Sequence, residues 1–538
     1  MVASTSRNGD IDIILHTLRL RLSLRFENGN VHALNQTALL EKRRLRDMEV
    51  LVANQTSSAD LARRGDQLLG EGARSEAIAH YQAALALDTT RSDTWYNLAW
   101  AYRANRQFDD ALNAYGEALN YGTSRPEAVR LNRAVILADH LYQPHAAEEE
   151  LNAALAVSPT FVPALLNLGT LHEDFGRADA AREAYRRVII HEPGNGRARA
   201  RLAMIDLAEG HVGNALDELA IGLPLANAAA DRAELLYATA TALDADRRFD
   251  AAFETLAAAN SLAQTSARNR YDPEAQERLI DRLIATFQRP ISGPALETNE
   301  VLQPIFVVGM FRSGSTLVEQ LLARHSAIIE GGELEIIPAL AHSALVPYPE
   351  AVAQFDASAI KANRSAYLTE MARVASSGRV TDKRCDNILH IGLIKTLFPN
   401  APIVHTARHP LDTLISTLFV HFGEGVTYGY DQRDVAHYYI QYRRLLNHWR
   451  TLYGDAICDV DYDQLVIDPR AQIEPVLSSL GVTWNETARH ASGTHSVRTA
   501  SSWQVRKALH RQSSGRWQNY AKHLEPAQQM LSEAGLLQ

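Results

Sequence analysis

The chain has 538 residues, 46% of them apolar and 22% charged, with a formal net charge of −9. At roughly 100–200 residues per domain the length predicts three or four soluble domains, and the acidic balance excludes a general nucleic-acid binder, which carries a broad basic face. Two cysteines, Cys385 and Cys458, exclude a disulfide framework or thiolate metal site and point to a reducing compartment.

No uncharged apolar run reaches the ~18–20 residues of a transmembrane helix, so no integral membrane segment is expected. Residues 1–55 are expected to form a helical extension. Asp10 and Asp12 precede an Arg-interrupted apolar stretch, an order that a secretory signal does not have. A cytoplasmic location follows as the expectation. Ile11–Phe26 suits an amphipathic packing helix, with membrane association through it as the alternative.

Residues 56–265 repeat. YNLAWAYRANRQFDDALNAYGEAL (Tyr96–Leu119) recurs as LNLGTLHEDFGRADAAREAYRRVI (Leu166–Ile189), and an earlier copy runs from Arg63 to Leu85. A small residue returns at Gly65, Ala99, Gly169 and Ala203, and a second at Ala77, Ala111, Ala181, Ala215 and Ala252. Four residues after each of the latter stands a large side chain: Tyr81, Tyr115, Tyr185, Leu219 and Leu256. The third copy (Leu131–Leu155) arrives late after an insertion at Tyr121, and Pro159 and Pro193 close two copies, where proline can stop a helix. About six copies are present. The pattern resembles the tetratricopeptide repeat, which implies paired helices stacked into a superhelix with a concave face for peptides, partner proteins or a second subunit.

Residues 266–300 read as a connecting helix (Pro273–Gln288) and a turn-rich linker (Arg289–Pro294), and 301–538 as an α/β domain. Ile305–Val308 is a short β-branched and aromatic run, expected of a buried parallel strand. It leads into GMFRSGSTL (Gly309–Leu317) and a helical pattern through Leu322. Strand, glycine-bearing turn and helix in that order can cradle an anion with backbone N–H groups and the helix dipole. Ser315 stands where a nucleotide-triphosphate loop has lysine, so kinase or ATPase chemistry is disfavoured.

PIFVVGMFRSGSTLVEQLLARHSAIIEGGEL, beginning at Pro304, resembles the phosphosulfate loop of sulfotransferases that use 3′-phosphoadenosine 5′-phosphosulfate (PAPS). It is closest to the tyrosylprotein sulfotransferases and their bacterial relatives, in which tetratricopeptide repeats often precede the transferase domain. The expected fold is therefore α + α/β: a helical repeat superhelix followed by a P-loop-like parallel-sheet domain. The resemblance assigns the cofactor to Arg312, Ser313, Gly314, Ser315 and Thr316. In VTDKRCDNILHIGLIKTLFPNAPIVHTARHPLDTLIST (Val380–Thr417) it implies that Arg408 and Ser416 grip the 3′-phosphate, a role that suits a bidentate guanidinium and a hydroxyl. In Thr499–Tyr520 it places Ser502 and Arg516 near the cofactor, with Arg506, Lys507 and Arg511 adding charge as a solvated basic loop also would. Tyr462 touches either the nucleotide or the core.

For the chemistry, the resemblance makes Glu333 the base, with His325 as alternative, and Arg312 and Lys383 the cations on the developing charge; Lys383 could instead pair with Asp382 or Asp386. No metal is expected. Departures from the family are Phe311 for proline, Ser315 for threonine, and Glu335 where the animal enzymes carry arginine toward the acceptor. The implied activity is sulfuryl transfer from PAPS to a hydroxyl, the favoured acceptor being tyrosine of a peptide or protein held by the repeats. The alternatives are a small phenol, lipid or glycan acceptor, or a catalytically inactive repeat scaffold that binds partners.

Overall fold

Alanine-rich stretches broken by short turns at regular intervals make helical hairpins, and the computed structural model contains them throughout the repeat region. The structure describes residues 57–291, 301–484 and 513–537, so the N-terminal extension lies outside it. The chain divides into two compact units, residues 1–164 and 165–538. The first holds three helix pairs: α1 (Ser58–Gly70) with α2 (Arg74–Leu87), α3 (Ser92–Ala104) with α4 (Phe108–Asn120), and α5 (Pro126–Asp139) with α6 (Pro144–Val157). From α7 (Val162–Asp174), which crosses the division, three more pairs follow: α7 with α8 (Ala178–His191), α9 (Gly196–Ala208) with α10 (Val212–Gly222), and α11 (Ala229–Ala245) with α12 (Phe249–Ser266). These make six helix pairs among the described residues.

The repeat signature has a steric cause. Tyr81 and Tyr185 are fully buried, and each ring lies on the glycine of the preceding helix in its own repeat. A Cβ at Gly65 would stand 2.7 Å from Tyr81, and one at Gly169 would stand 2.5 Å from Tyr185. The Tyr185 ring cannot back away, because its hydroxyl donates to Glu173 at 2.5 Å, and Arg201 holds that carboxylate from the next repeat at 2.6 and 2.8 Å. Gly169→Ala is therefore expected to cost ~1–3 kcal/mol in overpacking, offset by about 1 kcal/mol of helix propensity. A urea melt showing no loss of stability would contradict this packing.

After α13 (Pro273–Thr286), capped by Asp272 through the Ala275 N–H at 3.0 Å, comes the sheet domain. Its strands are β1 (Leu302–Gly309), β2 (Ile328–Ile329), β3 (Gly378–Asp382), β4 (Ile403–Ala407) and β5 (Ile457–Asp461). They run parallel in the order β2-β3-β1-β4-β5. The helices beside them are α14 (Ser315–Ala323), α15 (Ala357–Met371), α16 (Ile391–Leu397), α17 (Pro410–Leu418), α18 (Gln432–Tyr453) and α19 (Pro469–Ser479). Side chains alternate across a strand. Ile305 and Val307 accordingly share one core with Val318, Leu321 and Leu322 of α14 and Ile473, Val476 and Leu477 of α19. Phe306 points the other way, onto Tyr367 and Phe398 with ring centroids 5.8 and 6.3 Å away. Central β1 is buried on both faces, which is why it reads as a continuous apolar run. Among the described residues no helix is long and apolar enough to cross a membrane.

Candidate active site

Four strands end at one place. In a parallel sheet the crevice lies beyond the carboxyl ends of the strands, and here β1 runs into the glycine-bearing loop, β3 into Lys383, β4 into Arg408 and β5 into Tyr462. The register fixes this: Phe306 of β1 lies beside Asp382 of β3 and Ile403 of β4, and Ala407 lies beside Asp461.

The loop before α14 is tightly folded. Ser313 is buried; its hydroxyl bonds to the Met310 carbonyl and the Thr406 hydroxyl, each at 2.6 Å, so this side chain serves the turn itself. Arg312 has φ +70° and Gly314 φ +100°, conformations that L side chains rarely adopt. At Gly314 a Cβ would also stand 2.3 Å from the Tyr462 ring. Ser315 and Thr316 open α14, whose first-turn N–H groups have no intrahelical partner, and the Ser315 hydroxyl lies 3.2 Å from the buried Cys385 thiol.

Two guanidiniums meet at this helix end. The Arg312 Nε donates to Ser416 at 3.1 Å, joining two residues assigned to different phosphates of the cofactor. Burial first, then repulsion from Arg408 and Arg516, pushes Arg312 down to about 10. Arg408 is lowered too, chiefly by burial. It donates to the carbonyls of Arg312, at 3.1 Å, and Ser513, and its guanidinium stacks 4.9 Å from the Tyr462 ring centroid. The Arg408 Nε is buried without a hydrogen-bond partner among the described residues. Tyr462 thus sits between the loop glycine and Arg408.

Across the crevice, Lys383 is fully buried and its Nζ lies 2.5 Å from Glu333 Oε1, whose side chain is 37% exposed. Neither Asp382 nor Asp386 takes this lysine. Asp382 accepts from Tyr367 at 2.9 Å and Asn387 at 3.1 Å, while Asp386 pairs with Arg384 at 2.8 Å. Burial works against the Lys383 charge, but Glu333 and Glu319 outweigh it and hold the ammonium above its ordinary range. Glu335 stands 3.8 Å from Arg384. His325 is used locally, its Nδ1 accepting the Ala327 N–H at 3.1 Å.

Arg516 meets the repeats. It pairs with Asp244 of α11 at 3.0 Å and stacks over Phe419 at 4.2 Å. Ser502, Arg506, Lys507 and Arg511 lie outside the described residues. The residues that hold the C-terminal segment here escaped sequence reasoning. Buried Asp412 accepts the N–H groups of Gly515 and Trp517 at 2.7 and 2.8 Å, and Asp463 accepts from the Ser514 hydroxyl and, at 3.0 Å, from the His409 N–H. In sequence Asp412 is only an acidic residue in a helix's first turn; no signal spans the hundred residues to its partners.

Residues 304–486 match the model of the sulfotransferase family, and residues 68–134 and 162–189 match models of the tetratricopeptide repeat. An uncharacterized protein of Aquifex aeolicus (strain VF5) is 29% identical over 425 residues, 75% of this chain and 53% of that protein; the chain spans about half the length of the curated relative it matches. Among solved structures, YrrB, described as a TPR protein with an unusual peptide-binding site, is similar at 19% identity with a TM-score of 0.29, covering 36% of this chain and 96% of that one. PilW, a type IV pilus biogenesis factor, is similar at 21% identity with a TM-score of 0.32, covering 38% of this chain and 92% of that one.

Proposed function

We propose that this chain, which carries tetratricopeptide repeats and a C-terminal sulfotransferase-family domain, moves a sulfuryl group from PAPS to an acceptor hydroxyl, tyrosine of a peptide or protein being the favoured acceptor. The observation that carries the reading is the meeting of Arg312, Ser416 and Arg408 at the start of α14, with the Lys383–Glu333 pair at the same strand ends. Two adjacent guanidiniums, Arg312 and Arg408, and an Arg408 Nε without a partner among the described residues fit a polyanionic ligand.

PAPS, when bound, supplies the phosphosulfate whose sulfuryl group is transferred. The protein's part is positioning and charge stabilisation, as in phosphoryl transfer. Arg408, with Ser416 and the first-turn N–H groups of α14, binds phosphate. Glu333 takes the proton of the acceptor hydroxyl at Oε1 or Oε2. Lys383 has three donors, one on Glu333, and turns the others toward the developing charge with Arg312. Arg516, and Ser502 outside the described residues, keep the cofactor contacts that the resemblance implies.

The repeats offer a surface for a peptide or partner protein, which favours a polypeptide acceptor over a small one. Both cysteines are free, in keeping with a cytoplasmic setting. Incubation with PAPS and panels of tyrosine peptides, small phenols, lipids and glycans tests the reading: sulfated tyrosine peptides support it, reaction of a small phenol alone overturns the peptide acceptor, and no turnover with any hydroxyl overturns the enzyme. Arg408→Ala is expected to weaken binding of the desulfonated nucleotide by about 10–100-fold, the worth of a charged hydrogen bond. Unchanged affinity in a calorimetric titration would remove Arg408 from the cofactor site.

A further inference from the structure

Beneath the Lys383–Glu333 pair lies a second carboxylate to which the proposed mechanism gives no role. Glu319, in the middle of α14, is 1% exposed. A charge taken out of water is costly unless it is paired and hydrogen-bonded, and burial pushes the Glu319 carboxyl up to about 7. Its Oε1 accepts the Thr381 hydroxyl at 2.6 Å and the Gly332 N–H at 2.9 Å. The same Thr381 oxygen accepts the Gly331 N–H at 3.0 Å. The Lys383 N–H donates to the Gly332 carbonyl at 2.8 Å. The turn that delivers Glu333 is thus tied on one side to the end of β3 and underneath to the anion-loop helix. There is no slack: a Cβ at Gly331 would stand 2.0 Å from the Thr381 carbonyl oxygen.

Resting on the sulfuryl-transfer reading, we propose that Glu319 is a positioning residue for that reaction: from under the Gly331–Gly332 turn it fixes Glu333 against the Lys383 ammonium and couples both to the helix that begins at the anion loop. It touches neither reacting group; its effect passes through Gly332, Thr381 and Lys383.

The arrangement has an electrostatic side. Lys383 faces Glu333 from the turn, Glu319 from α14 and Cys385 from its own segment. Glu319 faces Lys383 and Glu330, and its charge acts on Asp382 of β3. Burial pushes Glu319 up and Lys383 pulls it back. Glu319→Gln keeps an acceptor oxygen for Gly332 and Thr381 but removes one of the two carboxylates that raise Lys383, so the ammonium loses its proton at lower pH than in the wild type.

The test uses the full chain and its Glu319→Gln and Glu319→Ala variants. Three measurements are made: turnover with PAPS across pH, affinity for the desulfonated nucleotide, and pH-dependent acetic anhydride labelling of Lys383 read by mass spectrometry. Glu319→Gln is expected to keep nucleotide affinity within about threefold, to lose about tenfold in kcat, and to move both the basic limb of kcat and the Lys383 labelling midpoint down by about one pH unit. Glu319→Ala, which also releases the turn, is expected to lose about 100-fold in kcat with the acceptor KM little changed. A purely structural Glu319 would leave the Glu319→Gln pH limb and labelling midpoint where they are in the wild type, and that result overturns the proposal. If the wild type itself does not turn over, the sulfuryl-transfer reading fails, and with it the assignment to that reaction. The labelling midpoint would then still show whether Glu319 sets the state of Lys383.

Discussion

Glu333→Gln is expected to lower kcat by about 10²–10⁴-fold, the usual worth of a general base, while nucleotide affinity stays within about threefold. The side chain keeps its size and can still accept a hydrogen bond from Lys383, now 2.5 Å away, but it can no longer take a proton from an acceptor hydroxyl. The fold should survive, because Lys383 retains Glu319 as a facing carboxylate. Binding and chemistry therefore separate in this variant. Steady-state kinetics beside a titration with the desulfonated nucleotide measure both, and an unchanged kcat would remove Glu333 as the base. His325→Asn is the natural control, since that ring is engaged with Ala327.

Lys383→Met should damage both stability and rate. Losing one partner of a fully buried charge pair typically costs ~3–5 kcal/mol; Lys383 is fully buried but Glu333 is 37% exposed, so a smaller loss of ~1–3 kcal/mol is expected. The loss should depend on pH. Burial already raises Glu319, and removing the lysine that pulls it down raises it further. The folded variant then holds the Glu319 proton to higher pH than the unfolded chain does. That contribution is fully present below the ordinary carboxylate range and is lost as pH rises through the folded value. The deficit against wild type should accordingly change little below about pH 7, the value to which Glu319 is already pushed in the wild type, and be larger at pH 8 than at pH 5. Urea melts at the two pH values measure it, and a deficit independent of pH would contradict the linkage. Turnover should fall by about 10²–10³-fold beyond any loss of folded protein, as for one oxyanion donor.

Much of the architecture was legible because it is local. Gly65 with Tyr81 and Gly169 with Tyr185 stand sixteen residues apart, since each ring needs the space left by its own repeat's glycine. The apolar run from Ile305 to Val308 announced a strand buried on both faces, and GMFRSGSTL announced a turn entering a helix. Single residues of the site were harder. For Lys383 the sequence offered Asp382 or Asp386 beside it, whereas the structure pairs it with Glu333, fifty residues away. Tyr462 was balanced between nucleotide and core, and it proved to lie against Gly314 and under Arg408.

Arg516 illustrates the limit from the other side. By charge and position it reads as an anion contact, yet its carboxylate partner is Asp244 in the last repeat pair. Glu319 in turn reads as one more polar residue on a helix, and only burial under the Gly331–Gly332 turn gives it meaning. The sequence alone determined the repeat helices, the central strand and the anion loop, because periodicity, glycine placement and strand composition act over a few residues of chain. The tertiary structure decided which carboxylate meets which cation. Parallel strands bring four distant segments to one edge, and in that low-dielectric setting the pairing depends on distances across the fold.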